Sequence, residues 1–354
     1  MDLKLFIPGP VDVSEDVAEQ MSKPMIGHRS QAYKDLHAST VSNLKKLFYT
    51  ENMVFLGTNS STGWMEAAVR NCVEEKSLHG VNGAFSKRWH QIAAACAKTP
   101  EKIEVEWGSA VKPGQVEEKL SSGDYEAFFV THNETSTAVM TPLEELGKIC
   151  AENDVLFCVD AVSSAAGVKI DVDELGIDVL VTGTQKALAV APGLSMTVVS
   201  RKALDKSKGM EDKGHYFDYM VFEKKAGKDN TPTTPAIPQI YALDYQLKKI
   251  LGEEGVDERY ERHRRMAEHT RGWVKKHWGM YAEDWCASDT VTCAKNTLEV
   301  DLAGLSEKLL DRGFLLSNGY GSLKGKAFRV AHMGDRKMSD LKEYLDLIQE
   351  LAGI

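Results

Sequence analysis

Lys186 and Asp160 are the two residues of this chain best placed to do chemistry. Lys186 follows the apolar run Ile177-Asp178-Val179-Leu180-Val181 and the small polar residues Thr182 to Gln185, and a loop from Ala187 to Gly193 comes after it. Asp160 ends a second apolar run, Asp154-Val155-Leu156-Phe157-Cys158-Val159. A desolvated lysine loses its proton more easily and becomes a nucleophile toward carbonyl carbon. A lysine and an acid at the carboxyl ends of two strands suit pyridoxal phosphate, the lysine forming the Schiff base and the acid pairing with the pyridinium nitrogen. Lysines at strand ends also commonly reach into solvent, so the surroundings of the pair decide its meaning.

Further segments could complete such a site. Asn59-Ser60-Ser61-Thr62-Gly63 offers three hydroxyls between a strand and a helix. Hydroxyls and N–H groups at a helix N-terminus bind phosphate, although serine and threonine there also serve as plain N-caps. The segment lacks the Gly-x-x-x-x-Gly-Lys frame of a Walker loop. Phe85, in Asn82-Gly83-Ala84-Phe85, could stack on a flat ring or belong to the core. The polar run Thr131 to Thr137 reads as a functional loop or a solvated turn. Arg329 lies in a strand-like stretch and could grip a substrate carboxylate, or be an edge-strand charge. His28-Arg29 could meet a second acidic group or lie on the surface.

The elements that must position these residues alternate. Strand patterns at Met53 to Leu56, Ala127 to Val130, Leu156, Val179 and Met196 are interleaved with helical ones. This α/β alternation predicts a mostly parallel sheet between helices, with ligands outside the carboxyl ends of the strands. Gly63 to Val73 predicts one helix. Thr141-Pro142 predicts the start of another that runs through Asn153, with threonine as N-cap and proline at the first position. After about Ser200 the pattern changes. Thr231-Pro232-Thr233-Thr234-Pro235 reads as an extended or turning segment. A long helix at about 238–251 leads to a smaller α+β domain. The expected division is an N-terminal segment at 1–14, a large cofactor-binding domain at 15–237 and a small domain at 238–354. Within the last, a very polar helix from Asp257 to Trp278 reads as a solvated face.

The 354 residues suffice for two domains and a sizeable core. A formal net charge of −9 argues against general nucleic-acid binding, but not against small anionic substrates. The N-terminus reads as having no secretory signal and no run reaches membrane-spanning length, so a cytoplasmic location is expected. Six cysteines form no CxxC pair and no metal-like cluster, which predicts reduced, buried thiols.

With these parts together the chain resembles the class V aminotransferases of fold type I, near the alanine/serine–glyoxylate (serine–pyruvate) enzymes. The resemblance runs from Pro8-Gly9-Pro10 to Arg329. It is most specific in Val159-Asp160-Ala161-Val162-Ser163-Ser164 and Gly183-Thr184-Gln185-Lys186-Ala187-Leu188 with Pro192-Gly193. The resemblance implies that Lys186 holds pyridoxal phosphate and shuttles a proton. Asp160 would face the ring nitrogen, and Val162 and Phe85 the two ring faces. Ser60, Ser61, Thr62 and Gln185 would hold the phosphate, and Thr135 would lie near the ring hydroxyl or substrate. Arg329 would bind the α-carboxylate and Gly27 would line the substrate pocket. Thr234 would reach the phosphate from the partner subunit of a homodimer. Thr231 stands where some relatives have tyrosine, Phe85 where tryptophan is frequent, and Ala138 where others have glycine. The implied reaction is ping-pong transamination from alanine or serine to glyoxylate or pyruvate. His28 and Arg29 resemble the phosphate-contacting pair of phosphoserine aminotransferases, whose partner acid is 2-oxoglutarate. A cysteine desulfurase-like lyase and a non-enzymatic binding module are the remaining alternatives. The former has histidine where Gln185 stands.

Overall fold

Short runs of branched and aromatic residues form the centre of the computed structural model, which describes residues 3–354. Seven strands make one sheet: β1 (Met53–Gly57), β2 (Lys76–Val81), β3 (Thr99–Glu104), β4 (Ala127–Thr131), β5 (Leu156–Asp160), β6 (Val179–Gly183) and β7 (Ser195–Val199). Their spatial order is β1-β7-β6-β5-β4-β2-β3. All pairings are parallel except those of β7, which runs antiparallel to β1 and β6. The expected α/β architecture with a mostly parallel sheet is therefore present. Every residue of β4, β5, β6 and β7 is buried, as a sheet covered on both faces requires.

Successive side chains point to opposite faces. Phe128 and Val130 of β4 join one apolar cluster with Phe157, Val159 and Leu180. Phe129 joins the other with Cys158, Val181, Trp64 and Trp89. The helices that bear on the site are α1 (Gln31–Phe48), α2 (Ser61–Cys72), α3 (Ala84–Ala95), α4 (Ile237–Lys248), α5 (Val256–His277) and α6 (Met338–Ala352). Helix α4 continues into a π-helical turn, Lys249–Glu254.

A second, antiparallel sheet contains β8 (Gly279–Met280), β9 (Val291–Lys295), β10 (Ser317–Asn318) and β11 (Ala327–Ala331), in the order β8-β9-β11-β10. Phe328 and Val330 of β11 pack with Met266 and Val274 of α5 and with Leu341, Tyr344 and Ile348 of α6. All six cysteines are free and buried. Among the described residues no helix is long and apolar enough to cross a membrane.

Two sequence expectations are corrected. The helix expected from Thr141-Pro142 starts later, at Glu144–Glu152 with Leu143 at the N-cap. The Thr141 N–H donates instead to the His132 carbonyl (2.7 Å) and is thereby drawn into the hairpin of Asn133–Glu134 with Val139–Met140. The polar helix is not simply a solvated face. Arg259, His263, Met266, Ala267, Thr270 and Val274 of α5 are buried. The polar members of that stripe are satisfied by hydrogen bonds, which is the condition for burying them.

Gly147 in the Glu144–Glu152 helix shows how closely this layer packs. A Cβ there would lie 2.0 Å from the Leu175 carbonyl oxygen. Helix propensity alone would make Gly147→Ala stabilising by about 1 kcal/mol. The clash should reverse the sign, lowering stability by about 1–3 kcal/mol as overpacking does. Urea denaturation of the two proteins measures this, and a stabilised variant would contradict the packing.

Candidate active site

The carboxyl ends of β1, β2, β4, β5 and β6 share one edge of the central sheet, because β1 is restored to the common direction by the reversed β7 between it and β6. A cavity of about 440 Å³ opens there. Nine of the residues singled out from the sequence line it: Ser60, Ser61, Thr62, Phe85, Thr135, Asp160, Val162, Gln185 and Lys186.

Asp160 ends β5 in register with Thr131 of β4 and Val181 of β6. Its carboxylate accepts from the Val162 N–H (2.9 Å) and the Thr131 hydroxyl (3.4 Å), and the residue is 4% exposed. Burial pushes the carboxyl up to about 7. The Val162 N–H works against this, the Glu134 charge adds to it, and Lys186 and Thr131 oppose it. A carboxyl in this state calls for a cationic partner.

Lys186 shows the opposite displacement. Burial lowers its ammonium to about 8, Arg329 and Arg88 act in the same direction, and Asp160 opposes them. Its Nζ donates to the Pro8 carbonyl. Gly9, with φ +119°, lies against the side chain so closely that a Cβ would sit 2.7–2.9 Å from Lys186 Cδ, Cε and Nζ. The N-terminal segment thus forms one wall around the amine.

Helix α2 supplies an anion cradle. Ser60 is its N-cap but makes no side-chain cap bond. The Ser61 hydroxyl is buried without a hydrogen-bond partner. A Cβ on Gly183 would stand 2.6 Å from both Ser61 Oγ and Gln185 Oε1. Glycine at the end of β6 therefore lets those two polar groups converge beside the helix N-terminus, where N–H groups and the helix dipole favour an anion.

The loop after β4 is buried throughout from Thr131 to Thr137, so it is no solvated turn. Glu134 Oε2 accepts from the Phe85 N–H (3.0 Å) and from the N–H (2.9 Å) and hydroxyl (3.0 Å) of Ser86. Its Oε1 accepts from the N–H and hydroxyl of Ser136. This carboxylate pins the start of α3 and so sets where Phe85 stands. Thr135 bonds the Ser163 hydroxyl at 2.6 Å.

Arg329, in the middle of β11, is 8% exposed and does not line the cavity directly. Its guanidinium donates to the carbonyls of Asn318 (3.0 and 3.2 Å) and Thr135 (3.4 Å), and lies 5.7 Å from the ring of Tyr320, which is in the lining. Gly27, His28, Arg29 and Thr234 stay outside the cavity of their own chain. Gly27, Arg29 and Thr234 are exposed, and His28 is half-buried. Thr231 is buried and donates to the Thr233 carbonyl. Ala138 takes φ +58°, the left-handed region that glycine adopts without strain, so the turn keeps its course.

Sequence reasoning missed several lining residues, among them Gly9, Arg88 and Tyr320, whereas Asn133 belongs to the Thr131 to Thr137 run already singled out. Arg88 lies one helical turn beyond Phe85 on the same face, a spacing that could have disclosed it. Its guanidinium reaches Tyr320 Oη at 3.2 Å and stacks over Phe85. Tyr320 comes from a loop of the second sheet and carries no local signal.

The residues present fit a phosphorylated ring bearing a basic nitrogen. The unpartnered Ser61 hydroxyl suits a phosphate, the raised Asp160 carboxyl suits a protonated ring nitrogen, and the lowered Lys186 amine suits a carbonyl carbon. Among the described residues no cluster could hold a metal ion.

Comparison with known proteins agrees. The family profile Aminotransferase class-V matches residues 13–319. The chain is similar to an uncharacterized aminotransferase of Methanocaldococcus jannaschii, 38% identical over 93% of this chain and 87% of the relative. It is similar to a serine–glyoxylate aminotransferase of Methylorubrum extorquens at 33% identity, covering 99% and 89%. The crystal structure of an alanine–glyoxylate aminotransferase from Nostoc sp. superposes with a TM-score of 0.94 at 27% identity, over 99% of this chain and 95% of that one.

The buried acid yields a stability prediction. Asp160 has a folded pKa of about 7 against an ordinary 3.8. The unfolded chain loses this proton first, so the ligand-free protein loses stability as pH rises from 3.8 to 7 and is level above that. Asp160→Asn escapes this loss. The ligand-free variant should match the parent near pH 4 and exceed it at pH 8 by up to about 4 kcal/mol. Urea denaturation at both pH values tests this. A difference that does not grow with pH would refute it.

Proposed function

From the premise that this chain belongs to the class V aminotransferases, enzymes that use pyridoxal phosphate, we propose that it moves an amino group from a small L-amino acid, alanine or serine, to glyoxylate or pyruvate by a ping-pong mechanism. The observation that carries the reading is the convergence of Lys186, Asp160 and the unpartnered Ser61 hydroxyl on one cavity, with the amine and the acid both displaced toward their neutral forms by burial. The names of the Methylorubrum and Nostoc relatives support the choice of substrates.

When bound, pyridoxal phosphate supplies an electrophilic carbon and a ring that accepts the electron pair left when the amino acid loses its Cα proton. Ser60, Ser61, Thr62 and Gln185 hold its phosphate at the start of α2. Asp160, short of a positive partner, keeps the ring nitrogen protonated. Val162 and Phe85, both in the cavity lining, would flank the ring, and Thr135 would meet its hydroxyl. Lys186 is the attachment point. With an amine near 8 it is partly deprotonated at neutral pH, and its Nζ takes the substrate Cα proton as general base. Arg329, 5.7 Å from the Tyr320 ring of the lining, would bind the α-carboxylate through the N–H groups that the Asn318 and Thr135 carbonyls leave free. Its fork is already oriented by the Asn318 and Thr135 carbonyls, so little side-chain freedom is lost on binding.

The same proposal includes a homodimer. Thr234 would reach the phosphate of the neighbouring subunit, and Gly27, with His28 and Arg29, would face its substrate. The exposure of Gly27, Arg29 and Thr234 in the single chain supports this. One observation favours the phosphoserine and 2-oxoglutarate alternative: Arg88 lines the cavity and, among the described residues, forms no ion pair with a carboxylate. The desulfurase-like alternative loses support. No cysteine lines the cavity among the described residues, and burial raises the Cys286 and Cys293 thiols to about 11 and 12. A non-enzymatic binding module is set aside by the family to which the chain belongs.

Absorbance spectra after single additions of L-alanine, L-serine and O-phospho-L-serine test the reading. The expected result is a visible band that L-alanine or L-serine bleaches within one turnover. Bleaching by O-phospho-L-serine alone would select the alternative, and Lys186→Ala should abolish both the band and turnover. The rate at which cofactor-free protein captures pyridoxal phosphate should rise with pH and level off above about 8, where Lys186 is deprotonated. A flat profile would place the attachment elsewhere.

A further inference from the structure

Asp160, Lys186 and Arg329 sit on three separate chain segments. One is the turn after β5, from Asp160 to Ala166. The second is the loop after β6, from Gln185 to Ala189. The third is β11 and its continuation from Arg329 to Arg336. A side chain belonging to none of them joins all three. Arg259 of α5 is 1% exposed. Its Nε donates to the Ala166 carbonyl (3.1 Å) and its Nη2 to the Ala187 carbonyl (2.5 Å). Its Nη1 donates to Asp335 (2.9 Å) and to Glu254 (2.7 Å).

The surrounding contacts stiffen this clasp. Asp335 also accepts two bonds from Gln246 of α4. Arg262, one turn along α5, donates to Glu254, to the Gly334 carbonyl (3.0 Å) and to the Arg336 carbonyl (2.8 Å). His263 Nε2 accepts from the Gly334 N–H at 3.1 Å. Gly334, at φ +84°, comes so near the Lys186 loop that a Cβ would stand 3.4 Å from Ala189 Cβ. A buried guanidinium is a poor source of stability compared with an apolar residue of equal volume. What it provides is a rigid planar fork that fixes the relative places of several acceptors.

We propose that Arg259 is a positioning residue for the reaction: its fork fixes the spacing between the Asp160 turn and the Lys186 loop and couples both to the strand that carries Arg329. This rests on the reading of Lys186 as the point of cofactor attachment. Nothing in the clasp touches the cavity, so Arg259 acts through the backbone of Ala187 and Ala166. Loosening it lets the Lys186 loop relax and admits more water around the half-buried amine, whose charged neighbours are Asp160, Arg329 and Arg88.

The test uses full-length Arg259→Met, Arg259→Lys and, as control, Arg264→Met on the exposed side of α5. Circular dichroism and thermal melting of the cofactor-free proteins report folding. The pH midpoint for capture of pyridoxal phosphate, followed at the visible band, reports the Lys186 environment. In Arg259→Met the midpoint should rise by about one unit, slowing capture at neutral pH by about tenfold. Arg259→Lys should fall between that variant and the parent, and Arg264→Met should match the parent. Folded Arg259→Met and Arg259→Lys with the parent's midpoint would overturn the proposal, as would a slowing that only follows loss of folded protein. A parent that captures no cofactor would instead overturn the reading of Lys186, and the positioning role with it.

Discussion

The structure depends on holding two ionisable groups of opposite sign, the buried Asp160 and the half-buried Lys186, on one cavity at the edge of one sheet without pairing them. Asp160 and Lys186 end adjacent parallel strands or the turn directly after them, and form no ion pair with one another among the described contacts. Each is displaced toward its neutral form, the acid up to about 7 and the amine down to about 8. Buried charge without a partner is expensive, so the protein stores a cost that a ligand with complementary charge relieves. That relation ties stability to function: the groups that make the ligand-free protein less stable are those that would make it bind.

Much of the remaining architecture serves to hold that cavity edge in place. The reversed strand β7 brings β1 into the sheet, so that the N-terminus of α2 opens on the same edge as Asp160. Gly183 leaves room for Ser61 and Gln185 to meet, and Gly9 leaves room for Lys186. Glu134 spends all its acceptor capacity on α3 and the adjoining turn, which places Phe85 and Arg88. These are constraints of volume and hydrogen bonding. Each would be broken by one added methyl group or one missing oxygen.

The second sheet has four strands against seven in the first, and the loop beside it brings Tyr320 to the cavity. Arg329, on β11 of that sheet, is oriented by the carbonyls of Asn318 and Thr135, one from each side of the boundary. Helix α5 looks in sequence like a water-facing charged helix. In the folded chain its Arg259, Arg262 and His263 bind backbone groups next to the Lys186 loop and the β11 extension. Charge density along a helix was a poor guide here, because the partners that make burial tolerable, Glu254 apart, come from segments about 70 or more residues away.

The sequence by itself determined the alternation of strands and helices and the chemistry at the strand ends. Apolar runs of four to six residues that stop at Asp160 and at Thr182 to Lys186 mark buried strands and the polar groups beyond them, and both signals are local. The hydroxyl cluster at Ser60, Ser61 and Thr62 was legible for the same reason. Helix starts were less so: Thr141-Pro142 has the composition of an N-terminus, yet the Thr141 N–H is taken by His132, a partner fixed by the hairpin rather than by neighbouring residues. Only the tertiary structure decided that Tyr320, Arg88 and Gly9 join the cavity, that Gly27, His28, Arg29 and Thr234 do not reach it within one chain, and that Arg259 is buried. Hydrophobic period and turn chemistry act over a few residues. Which distant segments meet is set by sheet order and by the packing of the second sheet against the first.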